Sequence, residues 1–93
     1  VNDARHLAWI RQQECCVPGC ERRAPHDVIE AAHIRRSFNS GTGMKPADRF
    51  CVPLCFDHHK ESHRGERTFE RKYGIDLLAL AAQYDLGSGS DLI

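Results

Sequence analysis

Nine residues, Cys55-Phe56-Asp57-His58-His59-Lys60-Glu61-Ser62-His63, hold one thiol and three imidazoles, and that density constrains the fold more than any other feature of the chain. Cys55 and His58 form a C-x2-H half-site. His59 and His63 stand four apart; on a helix their rings leave one face about a turn from each other and can converge on a single ion. The spacing therefore suits two metal sites rather than one.

A chain of 93 residues buries only roughly two-thirds of its unfolded surface, so its core is thin and a fold of this size usually needs a staple. The five cysteines, Cys15, Cys16, Cys20, Cys51 and Cys55, could supply it as disulfides or as thiolate ligands. An odd count and interleaved histidines favour metal, whereas a disulfide-rich domain would need four of the thiols oxidised. No apolar run approaches the ~20 residues needed to cross a bilayer. A cytoplasmic protein with no membrane partner is expected.

Formal charge is zero, which argues against gripping nucleic acid by bulk electrostatics. Its distribution is uneven. Between His33 and Arg64 six basic residues (Arg35, Arg36, Lys45, Arg49, Lys60, Arg64) face three acidic ones (Asp48, Asp57, Glu61), and the rest of the chain carries the compensating acid. A locally basic centre around the histidines permits a phosphodiester substrate without requiring one.

Asn2-Asp3 reads as an N-cap for a helix to about Gln13, with Leu7, Ile10 and Trp9 turned inward and Trp9 anchoring the helix. His6 reads as a surface or packing residue. Cys15-Cys16-Val17-Pro18-Gly19-Cys20 holds a tight Pro-Gly turn between thiols. Val28 to Ile34 reads as a strand ending on His33, 35–47 as loop, and Phe50 to Leu54 as a second strand with Pro53 at its end or on an edge. A helix from Cys55 to about Arg64, stopped by Gly65, would carry the histidines. Two more follow, Glu66 to Lys72 and Asp76 to Tyr84, parted at Gly74, with Leu77, Leu78, Leu80 and Ala81 as the apolar face. The expected fold is a single small zinc-stapled α+β domain. Residues 1–14 form its N-terminal helix, 15–64 a zinc knuckle and ββα-metal core, 65–86 the C-terminal helices and 87–93 a frayed tail.

Two constellations carry chemistry. Cys15 and Cys20, spaced C-x4-C, with Cys55 and His58 make a Cys3His set for a structural zinc ion. Cys16 could replace Cys15, and Cys51 could replace His58 or Cys55; otherwise both are small buried hydrophobes. His33, His59 and His63 make the second set. Phosphodiester hydrolysis needs a general base and a cation to stabilise developing charge, and a neutral imidazole is a suitable base at physiological pH. Strand, loop, strand, helix is the outline of a ββα-metal finger.

These residues resemble the HNH, or His-Me finger, endonucleases, and more narrowly the small phage and prophage HNH proteins with a zinc knuckle. The resemblance rests on Cys15 to Cys20, on Glu30-Ala31-Ala32-His33-Ile34-Arg35, on Gly41-Thr42-Gly43-Met44-Lys45-Pro46-Ala47-Asp48-Arg49, and on Val52-Pro53-Leu54-Cys55 running into His58-His59-Lys60-Glu61-Ser62-His63. It spans about Cys15 to Ala82. It implies DNA as substrate, His33 as general base, His59 and His63 as holders of a catalytic divalent ion (Mg2+, Mn2+, Ni2+ or Zn2+), and Cys15, Cys20, Cys55 and His58 as structural zinc ligands. Two positions depart from the family pattern. Ala32 stands where many members have a second histidine, and the family asparagine is replaced near Phe50; Asp48 is the nearby carboxylate offered as metal ligand or loop brace, its alternative being a salt bridge to Lys45 or Arg49.

Arg35, Arg36, Lys45, Arg64 and Arg67 are candidates for phosphate contacts, which position a duplex without reading its sequence. Nothing resembles a helix-turn-helix or a basic arm, so target choice would rest on DNA shape, the 35–49 loop or a targeting protein partner. The alternative function is a non-catalytic zinc module that binds nucleic acid or protein, for which a base at position 33 has no use.

Overall fold

The computed structural model describes residues 3–36 and 46–88. Its elements run α1 (Ala4–Ile10), β1 (Ile29–His33), β2 (Cys51–Cys55), α2 (Phe56–His63), α3 (Glu66–Tyr73) and α4 (Leu77–Gly87). Among the described residues the architecture is α+β: a two-stranded antiparallel sheet and four helices. The register sets Ile29 opposite Cys55 and His33 opposite Cys51. This places His33 at the end of β1 where the chain leaves for the 34–50 connection, and delivers Cys55 to the head of α2.

Pro53 lies mid-strand, opposite Ala31, rather than at the strand end. Ile34 N–H donates to Phe50 O at 2.8 Å, and the alternation of antiparallel pairs then makes Ala31–Pro53 a pair without ladder hydrogen bonds. The ring therefore sits where no N–H is required, on the outer edge of β2. From that edge Pro53 O accepts Cys16 N–H at 2.9 Å, which ties the cysteine-bearing loop to the sheet.

Asp3 caps α1, its side chain accepting from His6 N–H. The helix ends at Ile10, short of Gln13, because Gln12 and Gln13 N–H close tighter turns onto Trp9 O and Ile10 O and Glu14 is drawn into a bridge with Arg23. Val17-Pro18-Gly19-Cys20 closes through Cys20 N–H to Val17 O at 3.0 Å, with Gly19 at φ 84° as a type II turn demands. Gly74, at φ 67°, ends α3, and Ile75 N–H reaches back to Glu70 O in the manner of a Schellman stop.

The core gathers Ile29, Ala32, Ile34, Val52, Leu54, Phe69, Leu77 and Ala81 around the sheet. Leu77 and Ala81, four apart on α4, are its fully buried residues, while Leu78 and Leu80 pack at the margin. Trp9 anchors α1 as expected, meeting Tyr84 edge-on at 6.2 Å. Gly87 belongs to α4 rather than to a tail; a Cβ there would stand 3.2 Å from the Trp9 ring. His6 is buried, its Nδ1 3.0 Å from Ser88 Oγ. Among the described residues no helix is long and apolar enough to cross a membrane.

Candidate metal centre and histidine cleft

Cys15, Cys20, Cys55 and His58 converge, their ligand atoms all within 4.8 Å of one another. Three local features achieve this: the Pro-Gly turn presents Cys20, the Cys16–Pro53 hydrogen bond holds Cys15 against β2, and the first turn of α2 brings His58 back over Cys55. His58 Nδ1 lies 3.4 Å from Cys15 Sγ and 3.3 Å from Cys55 Sγ. A tetrahedral zinc ion with bonds of ~2.3 Å to sulfur and ~2.0 Å to nitrogen requires S···N edges of about 3.5 Å. The donor set therefore fits a structural metal such as zinc.

Burial pushes the Cys15 thiol up to about 12, backbone donors at Cys55 and Val17 opposing the shift. A thiolate there needs a cation beside it, and metal binding must release the proton. Arg22 donates to Cys55 Sγ at 3.7 Å while pairing with Asp57 at 2.7 Å, a positive charge that would partly offset three thiolates around a divalent ion. Tyr73 and Phe69 meet the His58 ring edge-on at 5.3 and 6.3 Å. Cys16 and Cys51 stand outside the cluster; Cys51 is fully buried at the opposite end of β2 from Cys55, and burial also pushes Cys16 up to about 12.

The histidines of the second constellation lie around the other end of the sheet and along α2. His33 Nε2 is 2.9 Å from Asp48 Oδ1, and the second Asp48 oxygen accepts Asp3 N–H at 2.6 Å. Asp48 is buried, 3% exposed. His59 Nδ1 is 2.7 Å from Glu30 Oε1, and the rings of His59 and His63 stand 4.6 Å apart at 86°. A cleft of about 520 Å³ opens between the end of β1 and the helices α2 and α3, walled by His33, His63, Arg35, Arg36, Glu66 and Arg67. His33 and His63 thus share one cavity, and His59 abuts His63.

Several expectations change. Among the described residues Cys15, Cys20, Cys55 and His58 make up the group of three or more donors close enough for one ion; Asp48 is placed on His33, not as a third donor with His59 and His63. Arg36, expected to face phosphate, is drawn between Glu66 and Glu70 with its side chain only 10% exposed. Arg64 lines a different groove, with Lys60 and Lys72. Arg35 is exposed on the cleft, its N–H held by Glu66, and Arg67 is exposed there as well. Lys45 and the Gly41-Thr42-Gly43 turn lie outside the described residues.

Sequence reasoning assigned no role to Glu30. A hydrogen bond across 29 positions of chain leaves no spacing signal; the one available cue was a carboxylate on a strand expected to lie beside the histidine helix.

Compared with known proteins, the chain is 34% identical over 73 residues, 78% of its length, to the uncharacterized protein YdfU of Escherichia coli strain K12, and this match spans 19% of that relative. No solved structure matches. A family model described as "Protein of unknown function (DUF968)" matches residues 1–89, and the chain belongs to that family.

Proposed function

We propose that the chain is a metal-dependent endonuclease domain of HNH type, a ββα-metal finger in which β1 and α2 carry the working histidines, β2 joins them, and a zinc ion at the Cys3His cluster staples the unit. One observation carries this reading: an imidazole at the end of β1 and another at the end of α2 open on the same arginine-walled cleft. His33 would take the proton of an attacking water, and the scissile phosphodiester would yield 5′-phosphate and 3′-hydroxyl ends. His59 and His63 would hold a divalent ion, which when bound supplies electrostatic stabilisation of the phosphate and the leaving oxygen.

The residues fit such an ion. Glu30 accepts only, so His59 Nδ1 carries the proton in that hydrogen bond and Nε2 keeps its lone pair; a carboxylate behind a ligating histidine is the usual outer partner of a metal site. Two imidazoles with oxygen ligands from water and phosphate suit Mn2+, Ni2+ or Zn2+ better than Mg2+. Among the described residues, Arg35 and Arg67 are exposed cations on the cleft wall that could meet phosphate, Arg67 lying 3.5 Å from Glu70 as well.

The test is conversion of supercoiled plasmid to nicked or linear forms by zinc-loaded protein with added Mn2+, Ni2+ or Mg2+. Wild type is expected to nick with at least one of them, and His33→Ala to lose this while keeping its zinc and its fold. A wild type inert with every ion would leave the Cys3His centre as the only metal chemistry and favour the binding-module reading.

A further inference from the structure

We propose that Asp48 is the positioning residue of His33, selecting the imidazole tautomer that leaves Nδ1 as the basic nitrogen, with the Asp3 amide locking the carboxylate in place. This rests on the nuclease reading for its catalytic meaning, but not for its geometry.

The argument follows from donors and acceptors. A carboxylate only accepts. One Asp48 oxygen takes Asp3 N–H at 2.6 Å and the other faces His33 Nε2 at 2.9 Å, so Nε2 carries the ring proton and the lone pair stays on Nδ1. The carboxylate is 3% exposed, so water competes little for it. These two contacts come from different parts of the chain, the residue capping α1 and the last residue of β1, and each fixes what the other can do. As the acid–base cycle turns, water gives a proton to Nδ1 while its oxygen bonds to phosphorus and the P–O3′ bond breaks; the leaving oxygen then gains a proton from solvent. The imidazolium formed in between is stabilised by the adjacent carboxylate, the part an aspartate plays behind a histidine in hydrolytic triads.

Asp48→Asn makes the inference testable because Asp3 decides which way the new amide points. Its carbonyl oxygen must accept Asp3 N–H, which turns the NH2 group toward His33 Nε2. Nε2 then has to accept, and the ring proton moves to Nδ1. The side chain keeps its size and its hydrogen bonds to Asp3 and His33, so the fold and the zinc are retained.

Long-range 1H–15N correlation spectra of 15N-histidine-labelled protein read the tautomer directly. Wild type is expected to show His33 protonated at Nε2, and Asp48→Asn at Nδ1, with kcat for nicking down by ~10^2- to 10^4-fold and KM little changed. The wild-type spectrum needs no variant; His33 found with its proton on Nδ1 would overturn the proposal outright. So would an Asp48→Asn protein that retains the Nε2–H form, whatever its activity. An inverted tautomer in a protein whose wild type does not nick would uphold the positioning role and remove the nuclease reading.

Discussion

Arg36 shows what a residue's chemistry reveals in sequence and what its neighbours conceal. A basic residue three positions past His33 reads as a phosphate contact, yet its guanidinium is held between Glu66 and Glu70. Glu70 also accepts Leu77 N–H at 2.7 Å, and Glu66 accepts Arg35 N–H at 3.0 Å. The three side chains join the exit of β1 to α3 and to the start of α4. Partners 30 and 34 positions away leave no local signature. Replacing Arg36 by Met would leave two poorly solvated carboxylates facing each other, a loss expected to cost about 3 kcal/mol in urea unfolding. Arg67→Met, at a side chain 75% exposed, should change stability by less than about 0.5 kcal/mol. Equal effects of the two changes on stability would refute the structural role given to Arg36.

At the scale of elements, the legible features were those with local causes. Asp3 as a cap, Gly74 as a stop and the Pro-Gly turn all act within a few residues, so helix and strand order followed from them. The ends of α1 and α4 were misplaced because tertiary contacts set them: the Glu14–Arg23 bridge draws the chain out of α1, and Gly87 packs under Trp9. The clamp between α2 and α3 was equally invisible. Lys72 Nζ and Tyr73 OH both donate to Glu61, at 2.8 and 2.6 Å, and these hydrogen bonds, Lys72 first, lower the Glu61 carboxyl from its ordinary 4.5. An acid whose folded value is depressed contributes stability that is complete above its unfolded value and fades as pH falls through the folded one. Wild type should therefore melt above Glu61→Gln at neutral pH, by a small margin because the pair is solvent-screened. The gap should close on acidification below about 4.5, the ordinary carboxyl value. Melting curves from pH 7 to pH 3 check this, and a gap that widens with acid would show the sign to be wrong.

For the molecule as a whole, the Cys3His cluster brings the segment after α1 to the junction of β2 and α2, where a bound metal would be the cross-link that a thin core needs. Its ligands were readable because each pair is close in sequence, Cys15 with Cys20 and Cys55 with His58. The histidine cleft was readable only in part. Residue types and order suggested His33, His59 and His63, but the carboxylates behind them, Asp48 and Glu30, reach their histidines across 15 and 29 positions. The central claim is that two ions occupy two places, zinc at the thiolates as scaffold and a second divalent ion at the cleft. Anomalous diffraction from crystals of zinc-loaded protein soaked in Mn2+, collected at the edges of both metals, tests it directly. A zinc peak among Cys15, Cys20, Cys55 and His58 and a separate manganese peak bonded to His59 and His63, across the cleft from His33, is the expected result. Manganese absent from the cleft, or found only by displacing zinc, would contradict it.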